Sequence, residues 1–206
     1  MNSTEMVKNM NNICTNRALS LVCIVVALSS GTASASLIQN GSFESPQTSD
    51  GIYPGLTPDH WIGGAYLFSG NTWPGFWPAP QNGNQYEDFG YTPYLLSQSF
   101  NVSAPGQYLL TWYDNAAAGY FHQYSVSVTG NSPVSFSGTG SAATWASRSL
   151  FLTLAAGSNT LTFVAGVGSD SLVDNVSLVA VPEPSTYLAG IGALGMLSLF
   201  GLRNRE

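Results

Sequence analysis

The chain has 206 residues, room for one domain of ordinary size once its two ends are set aside. Only 8% of it is charged, against about 25% in ordinary soluble chains. Lys8, Arg17, Arg203 and Arg205 sit near the ends, so the middle holds Arg148 alone against Glu44, Asp50, Asp59, Glu87, Asp88, Asp114, Asp170 and Asp174, a net charge near −7. Such an acidic surface is expected to repel phosphate backbones, which argues against nucleic-acid binding, and to tolerate cations and neutral polar ligands.

Both cysteines, Cys14 and Cys23, lie in the front segment. A disulfide scaffold, a cysteine nucleophile and a zinc–thiolate site are therefore excluded from the domain. Residues 18–30 form a short apolar run preceded by Lys8 and Arg17, and Ala33-Ser34-Ala35 follows as an A-x-A site. This is the three-part pattern of a secretory signal, and it predicts a signal helix removed by signal peptidase after Ala35. The expected division is a signal peptide over 1–35, a folded domain over 36–180 and a tail over 181–206.

The domain opens with Leu37-Ile38-Gln39-Asn40-Gly41-Ser42-Phe43-Glu44, and Trp61 follows as a core residue. Residues 50–94 are rich in Gly, Pro, Asn and aromatics, which predicts short strands and long loops. Within them Trp73, Phe76 and Trp77, with Asn82, Asn84 and Gln85 nearby, supply what a sugar site needs. Aromatic faces stack on pyranose rings, and amides hydrogen-bond hydroxyls. The competing expectation is that these aromatics plug one end of the fold. Alternating runs then predict strands at 95–102, 107–114, 124–129, 149–154, 160–165 and 172–179. Tyr108, Leu110 and Trp112 share a face, as do Val126 and Val128. Short strands joined by turns, with no helical period, predict an all-β antiparallel sandwich.

Strict alternation in the last strand puts Leu172, Asp174, Val176 and Leu178 on one face, expected to be the core face. A carboxylate there must be paired, hydrogen-bonded or metal-bound. The available solutions are backbone amides, or Ca²⁺ shared between Asp174 and Glu44 with carbonyls near residues 40–42 completing six to eight oxygens. The histidines, His60 and His122, sit in no hydrolase motif, and Glu87-Asp88, the adjacent acidic pair, is expected to be a solvated loop pair. The expectation is a domain without catalytic residues. Asn40, Asn101 and Asn175 each begin an N-x-S triplet, better explained by packing than by glycosylation.

The tail reads Val181-Pro182-Glu183-Pro184-Ser185, then sixteen uncharged residues over 187–202, then Arg203-Asn204-Arg205. The prolines keep the backbone extended, the apolar run predicts a transmembrane helix, and Arg203 and Arg205 would remain cytoplasmic. This order of parts resembles the PEP-CTERM sorting signal. The resemblance implies export in a Gram-negative bacterium, passage through the inner membrane, exosortase as a partner, and an association with exopolysaccharide at the cell surface or in the extracellular matrix. The two ends of the domain, hydrophobic-x-Asn-Gly-x-Phe-Glu at residues 38–44 and Asp-Asn-Val-x-Leu at 174–178, resemble the galactose-binding-like jelly rolls, which include many carbohydrate-binding modules. That resemblance implies neighbouring first and last strands and, often, a structural Ca²⁺ beside them. The expected function is an exported matrix or surface protein whose domain binds polysaccharide. The alternatives are a purely structural or adhesive body, and an unrecognised hydrolase.

Overall fold

The computed structural model describes residues 35–90 and 94–182. The signal segment through Ser34, and Glu183, Pro184, Ser185, the 187–202 run, Arg203 and Arg205, lie outside the described residues. Among the described residues there is no helix. Eleven strands follow in order: β1 Gly51–Pro54, β2 Ile62–Gly63, β3 Tyr66–Ser69, β4 Gln85–Asp88, β5 Leu95–Val102, β6 Gly106–Asn115, β7 Phe121–Val128, β8 Val134–Thr139, β9 Ala146–Leu154, β10 Gly157–Ala165 and β11 Leu172–Ala180.

The strands form two sheets, β1-β3-β4-β11-β6-β9 and β2-β5-β10-β7-β8, and every strand pairing is antiparallel. From β4 to β7 the chain alternates between the sheets, which gives a jelly-roll sandwich. Alternating burial explains why. In β6 the predicted trio Tyr108, Leu110 and Trp112 turns inward, and in β7 Tyr124, Val126 and Val128 do the same. These meet Leu96, Leu161 and Phe163 from the second sheet and Leu67, Val173 and Leu178 from the first, in one continuous core. Phe163 sits 5.8 Å from Trp112 and 6.5 Å from Trp61, so the predicted core role of Trp61 holds. The strands of residues 50–90 are two to four residues long, as the composition of that stretch predicts. β8 was not anticipated: its Ser, Gly and Thr residues carry little apolar signal.

The opening segment runs beside β11 without becoming a strand. The Leu37 amide donates to the Leu178 carbonyl at 2.8 Å, and the Val176 amide donates to the Gly41 carbonyl at 2.7 Å. Gly41 is required there, because a Cβ would fall 1.9 Å from the Val176 oxygen. Asn40, in the left-handed region, ties the segment down: its amide donates to the Ser45 and Asp59 carbonyls, and its carbonyl oxygen accepts the Ser45 amide. The two ends of the domain are therefore neighbours, as their resemblance implied.

The single-face expectation for the last strand is corrected. The β11–β6 register shifts between Asp174 and Ser177, and Asn175 adopts φ 51°. This β-bulge adds one residue and inverts the alternation. Val173, Val176 and Leu178 enter the inter-sheet core. Leu172 joins Phe68, Trp77, Tyr86 and Ala117 in a second, smaller cluster, which alternation places on the outer side of the first sheet. Asp174 shares that outer side with Leu172.

The charge expectation is corrected too. Glu87, Asp88, Asp114, Asp170 and Asp174 are all buried. Glu87-Asp88 is not a solvated loop pair but part of β4, with its two carboxyls on opposite faces of the strand. The surface is consequently poor in charge of either sign. The case against nucleic acid rests on the lack of cations, not on a repelling acidic surface.

Candidate functional site

The β3–β4 loop, residues 70–84, is the longest connection between consecutive strands of the first sheet, and it is pinned along its length. Its first turn closes by hydrogen bonds from the Phe76 and Trp77 amides to the Trp73 carbonyl, at 3.1 and 3.2 Å. Trp73 at φ 52° and Gly75 at φ 93° supply the left-handed residues this turn needs. The Trp145 indole donates to the Ala79 carbonyl at 2.8 Å. Asp174 Oδ2 accepts the Gln81 and Asn82 amides at 2.9 and 3.0 Å, and Glu44 Oε1 accepts the Asn84 and Gln85 amides at 2.8 Å each. The Ala118 amide reaches the Phe76 carbonyl at 2.8 Å, joining this loop to the β6–β7 connection.

This bracing divides the predicted platform. Trp73 is 66% exposed and Phe76 36% exposed, so both present ring area to solvent. Trp77 is only 9% exposed and is corrected to an anchor: its ring packs 4.7 Å from Phe68 and 5.1 Å from Phe76. Gln85 is likewise corrected. It is fully buried, its amide donating to the Phe43 and Pro46 carbonyls and its oxygen accepting from the Thr48 amide and hydroxyl. The Asn84 side chain is spent on Ser69 Oγ at 3.0 Å. Asn82 is exposed, and its side chain has no hydrogen-bond partner among the described residues.

Sequence reasoning missed Tyr120. It is 43% exposed, and its ring meets Phe76 edge-on at 5.6 Å. Gly119-Tyr120 reads locally as an ordinary strand approach; only the fold brings it to Phe76. Phe76 and Tyr120 thus present adjoining exposed rings on two loops that are hydrogen-bonded to each other, and Trp73 is exposed on the same turn as Phe76.

The corner holding Glu44 and Asp174 adopts the amide solution. Burial pushes Asp174 up to about 8, with a smaller contribution from nearby Glu44, against the Asn82, Asn175 and Gln81 amides, which pull it down. Backbone N–H groups donate to Asp174 Oδ2 and Glu44 Oε1, the arrangement of amide-capped carboxylates. Among the described residues no group of three or more His, Cys, Asp or Glu side chains is placed to hold a metal ion.

A second polar constellation lies inside the sandwich. The Trp112 indole donates to Tyr124 Oη at 2.8 Å, and Tyr124 Oη donates to Asp114 Oδ2 at 2.6 Å. Arg148 Nε donates to both Asp114 oxygens at 2.9–3.0 Å, and His122 Nε2 lies 3.3 Å from Oδ2. Burial raises the Asp114 pKa, but His122, Tyr124 and Arg148 outweigh it and hold the carboxyl below its ordinary value. Histidine, carboxylate and hydroxyl are thus together, yet all three are buried, and Gly138 packs directly against the imidazole. His60 is exposed and far in sequence from this group, in the turn before Trp61.

No family model matches the chain, and no curated protein matches it. Solved structures of similar fold include TmCBM61 in complex with β-1,4-galactotriose, at 17% identity and a TM-score of 0.48, covering 72% of this chain and 100% of that one. They also include a family 35 carbohydrate-binding module from Clostridium thermocellum, at 18% identity and a TM-score of 0.45, covering 65% and 100%. An exo-β-1,3-galactanase from Phanerochaete chrysosporium is similar over 64% of this chain and 29% of its own, at 21% identity and a TM-score of 0.42. These likenesses concern fold alone.

Proposed function

We propose that this domain is a non-catalytic module that binds polysaccharide through Trp73, Phe76 and Tyr120. The observation that carries the reading is the exposure of Trp73 on a loop held by buried and half-buried anchors. A tryptophan left two-thirds in water forgoes the stabilisation of burial. A mobile loop would offer such a ring no fixed geometry. Here Trp77, Glu44, Asp174 and Trp145 hold the loop from beneath. Rigid aromatic faces stack on the C–H faces of sugar rings at little cost in side-chain entropy. Asn82 supplies an exposed amide on the same loop as Trp73 and Phe76.

The same proposal places the domain outside the cell, delivered by a cleaved signal and sorted by exosortase. The Val181 amide donates to the Gln107 carbonyl at 2.9 Å, the last backbone bond to the sandwich among the described residues, just before the Pro-Glu-Pro segment in sequence. Calcium is not needed for this reading.

The test is affinity electrophoresis of the full chain on a panel of polysaccharides, with Trp73→Ala and Tyr120→Ala beside the wild type. Retardation lost in both variants is the expected result. Retardation retained in both would remove the aromatic site. Retardation by no polysaccharide would leave a structural or adhesive body as the better reading.

A further inference from the structure

The outer face of the second sheet carries no charge and rows of hydroxyls interspersed with the exposed apolar Ile62, Leu95 and Val164. In β5, Leu96, Gln98 and Phe100 turn inward, so Ser97 and Ser99 turn out. The register then sets Ser97 opposite Thr162 of β10, and Thr162 opposite Ser127 of β7, a row of three hydroxyls across three strands. A parallel row follows from Ser125 to Ser135 of β8, and another from Gln123 to Ser137. Neighbouring strands lie about 4.8 Å apart and same-face residues about 6.6 Å apart along a strand, so the hydroxyls form a lattice. The row hydroxyls of Ser97, Thr162 and Ser127 have no hydrogen-bond partner among the described residues.

This face is continuous with the aromatic site. Phe121, 54% exposed, ends the outer face of β7 opposite Thr139, and it is covalently next to Tyr120, whose ring meets Phe76. From Phe121 to Ser127 the face extends about 20 Å. The exposed carboxylates Asp50 and Asp59 lie outside the second sheet. Arg148, the one cation of the domain, is committed to Asp114.

We propose that the ligand is a long, electrically neutral polysaccharide that leaves the aromatic site and lies along this hydroxyl face. The inference rests on the aromatic-site reading and adds the ligand's length and charge class. A single hydroxyl exchanging a water partner for a sugar gains little, so such a lattice is effective only when many contacts are made by one chain. A charged polymer would bring carboxylates or sulfates to a face with no cation to meet them, at a desolvation cost. Short oligosaccharides would occupy the aromatic end alone.

The experiment compares the full chain with Trp73→Ala and with two row variants, Ser97→Ala/Thr162→Val/Ser127→Ala and Ser97→Asp/Thr162→Asp/Ser127→Asp. The first row variant removes hydroxyls without adding charge, so it keeps the test valid where the acidic variant folds poorly. Probes are dextran, galactan and mannan as neutral polymers, their trisaccharides, and alginate as an acidic polymer. Polymer affinity is expected to fall roughly tenfold in the row variants, the loss of three modest hydrogen bonds, while trisaccharide affinity is unchanged. Neutral-polymer binding should be insensitive to salt, and alginate should not bind. Row variants that bind polymer like wild type, with Trp73→Ala deficient, would overturn this inference and leave the aromatic site standing. Preference for alginate would overturn the neutral class. Failure of the wild type on every probe would overturn both readings.

Discussion

Replacing Glu87 by methionine should stabilise the domain, and the gain should grow with pH. Glu87 shares the inner face of its strand with Leu67 across the β3–β4 pair, is fully buried, and has no hydrogen-bond partner on either oxygen among the described residues. The neighbouring Ala65 amide is taken by the Asp88 carbonyl at 3.0 Å. Burial, and then Asp88, raise its pKa well above the ordinary value. In the unfolded chain a glutamate titrates near about 4.3. Below that pH both states hold the proton, and stability is independent of this group. Above it the unfolded chain releases the proton while the fold retains it, so stability falls by about 1.4 kcal/mol per pH unit until the folded pKa is reached. Methionine has a similar length and no polar atom to bury. At pH 4 Glu87→Met should gain about 1–3 kcal/mol from removing the unsatisfied group. Between pH 5 and neutrality its advantage should widen along the titration slope. Urea denaturation followed by tryptophan fluorescence at several pH values measures this, with Glu87→Gln as the control for loss of ionisation without loss of polarity. Asp88, Asp170 and Asp174 are also raised and contribute the same sign to both proteins, so they largely cancel in the difference. A variant less stable at pH 7 than at pH 4 relative to wild type would refute the placement of Glu87 in the core.

Four further outcomes are expected. Gly41→Ala should cost about 2 kcal/mol or more, because the added Cβ meets the Val176 carbonyl oxygen and breaks the bond joining the chain ends; a thermal melt measures it. Arg148→Ala should cost about 3 kcal/mol by leaving Asp114 a buried charge without its cation, seen as a lower urea midpoint at pH 7. Trp73→Ala should leave the melting midpoint within about 0.5 kcal/mol of wild type, since that ring is largely in water, while abolishing glycan retardation. Melting with chelator and with added calcium should give one midpoint, because amides already occupy Glu44 Oε1 and both Asp174 oxygens; a rise with calcium would show that the fold binds the cation.

Much of the sandwich is legible in the residues because strand periodicity is local. Tyr108, Leu110 and Trp112 alternate with polar neighbours and turn inward as that alternation requires, and β5 spans the predicted 95–102. The opening Asn40-Gly41 and the closing Asp174-Asn175 carry their own signals, since a left-handed Asn and a glycine against a carbonyl admit few substitutes. Periodicity also fails locally: one bulged residue at Asn175 inverts every assignment on one side of it, and nothing in Leu172–Leu178 announces the extra residue. Exposure is decided over longer distances. Trp73 and Trp77 are four residues apart and chemically identical, yet Phe68 covers one and water the other. Tyr120 joins the site only because the β6–β7 loop is bonded to Phe76 across 42 positions of sequence. The sequence by itself determined most of the longer strands and the scarcity of cations, because each is a property of neighbouring residues or of composition. Tertiary structure alone decided which acids are buried, which aromatics face water and which hydroxyls share a face, because burial and proximity are set by whichever distant strand packs alongside.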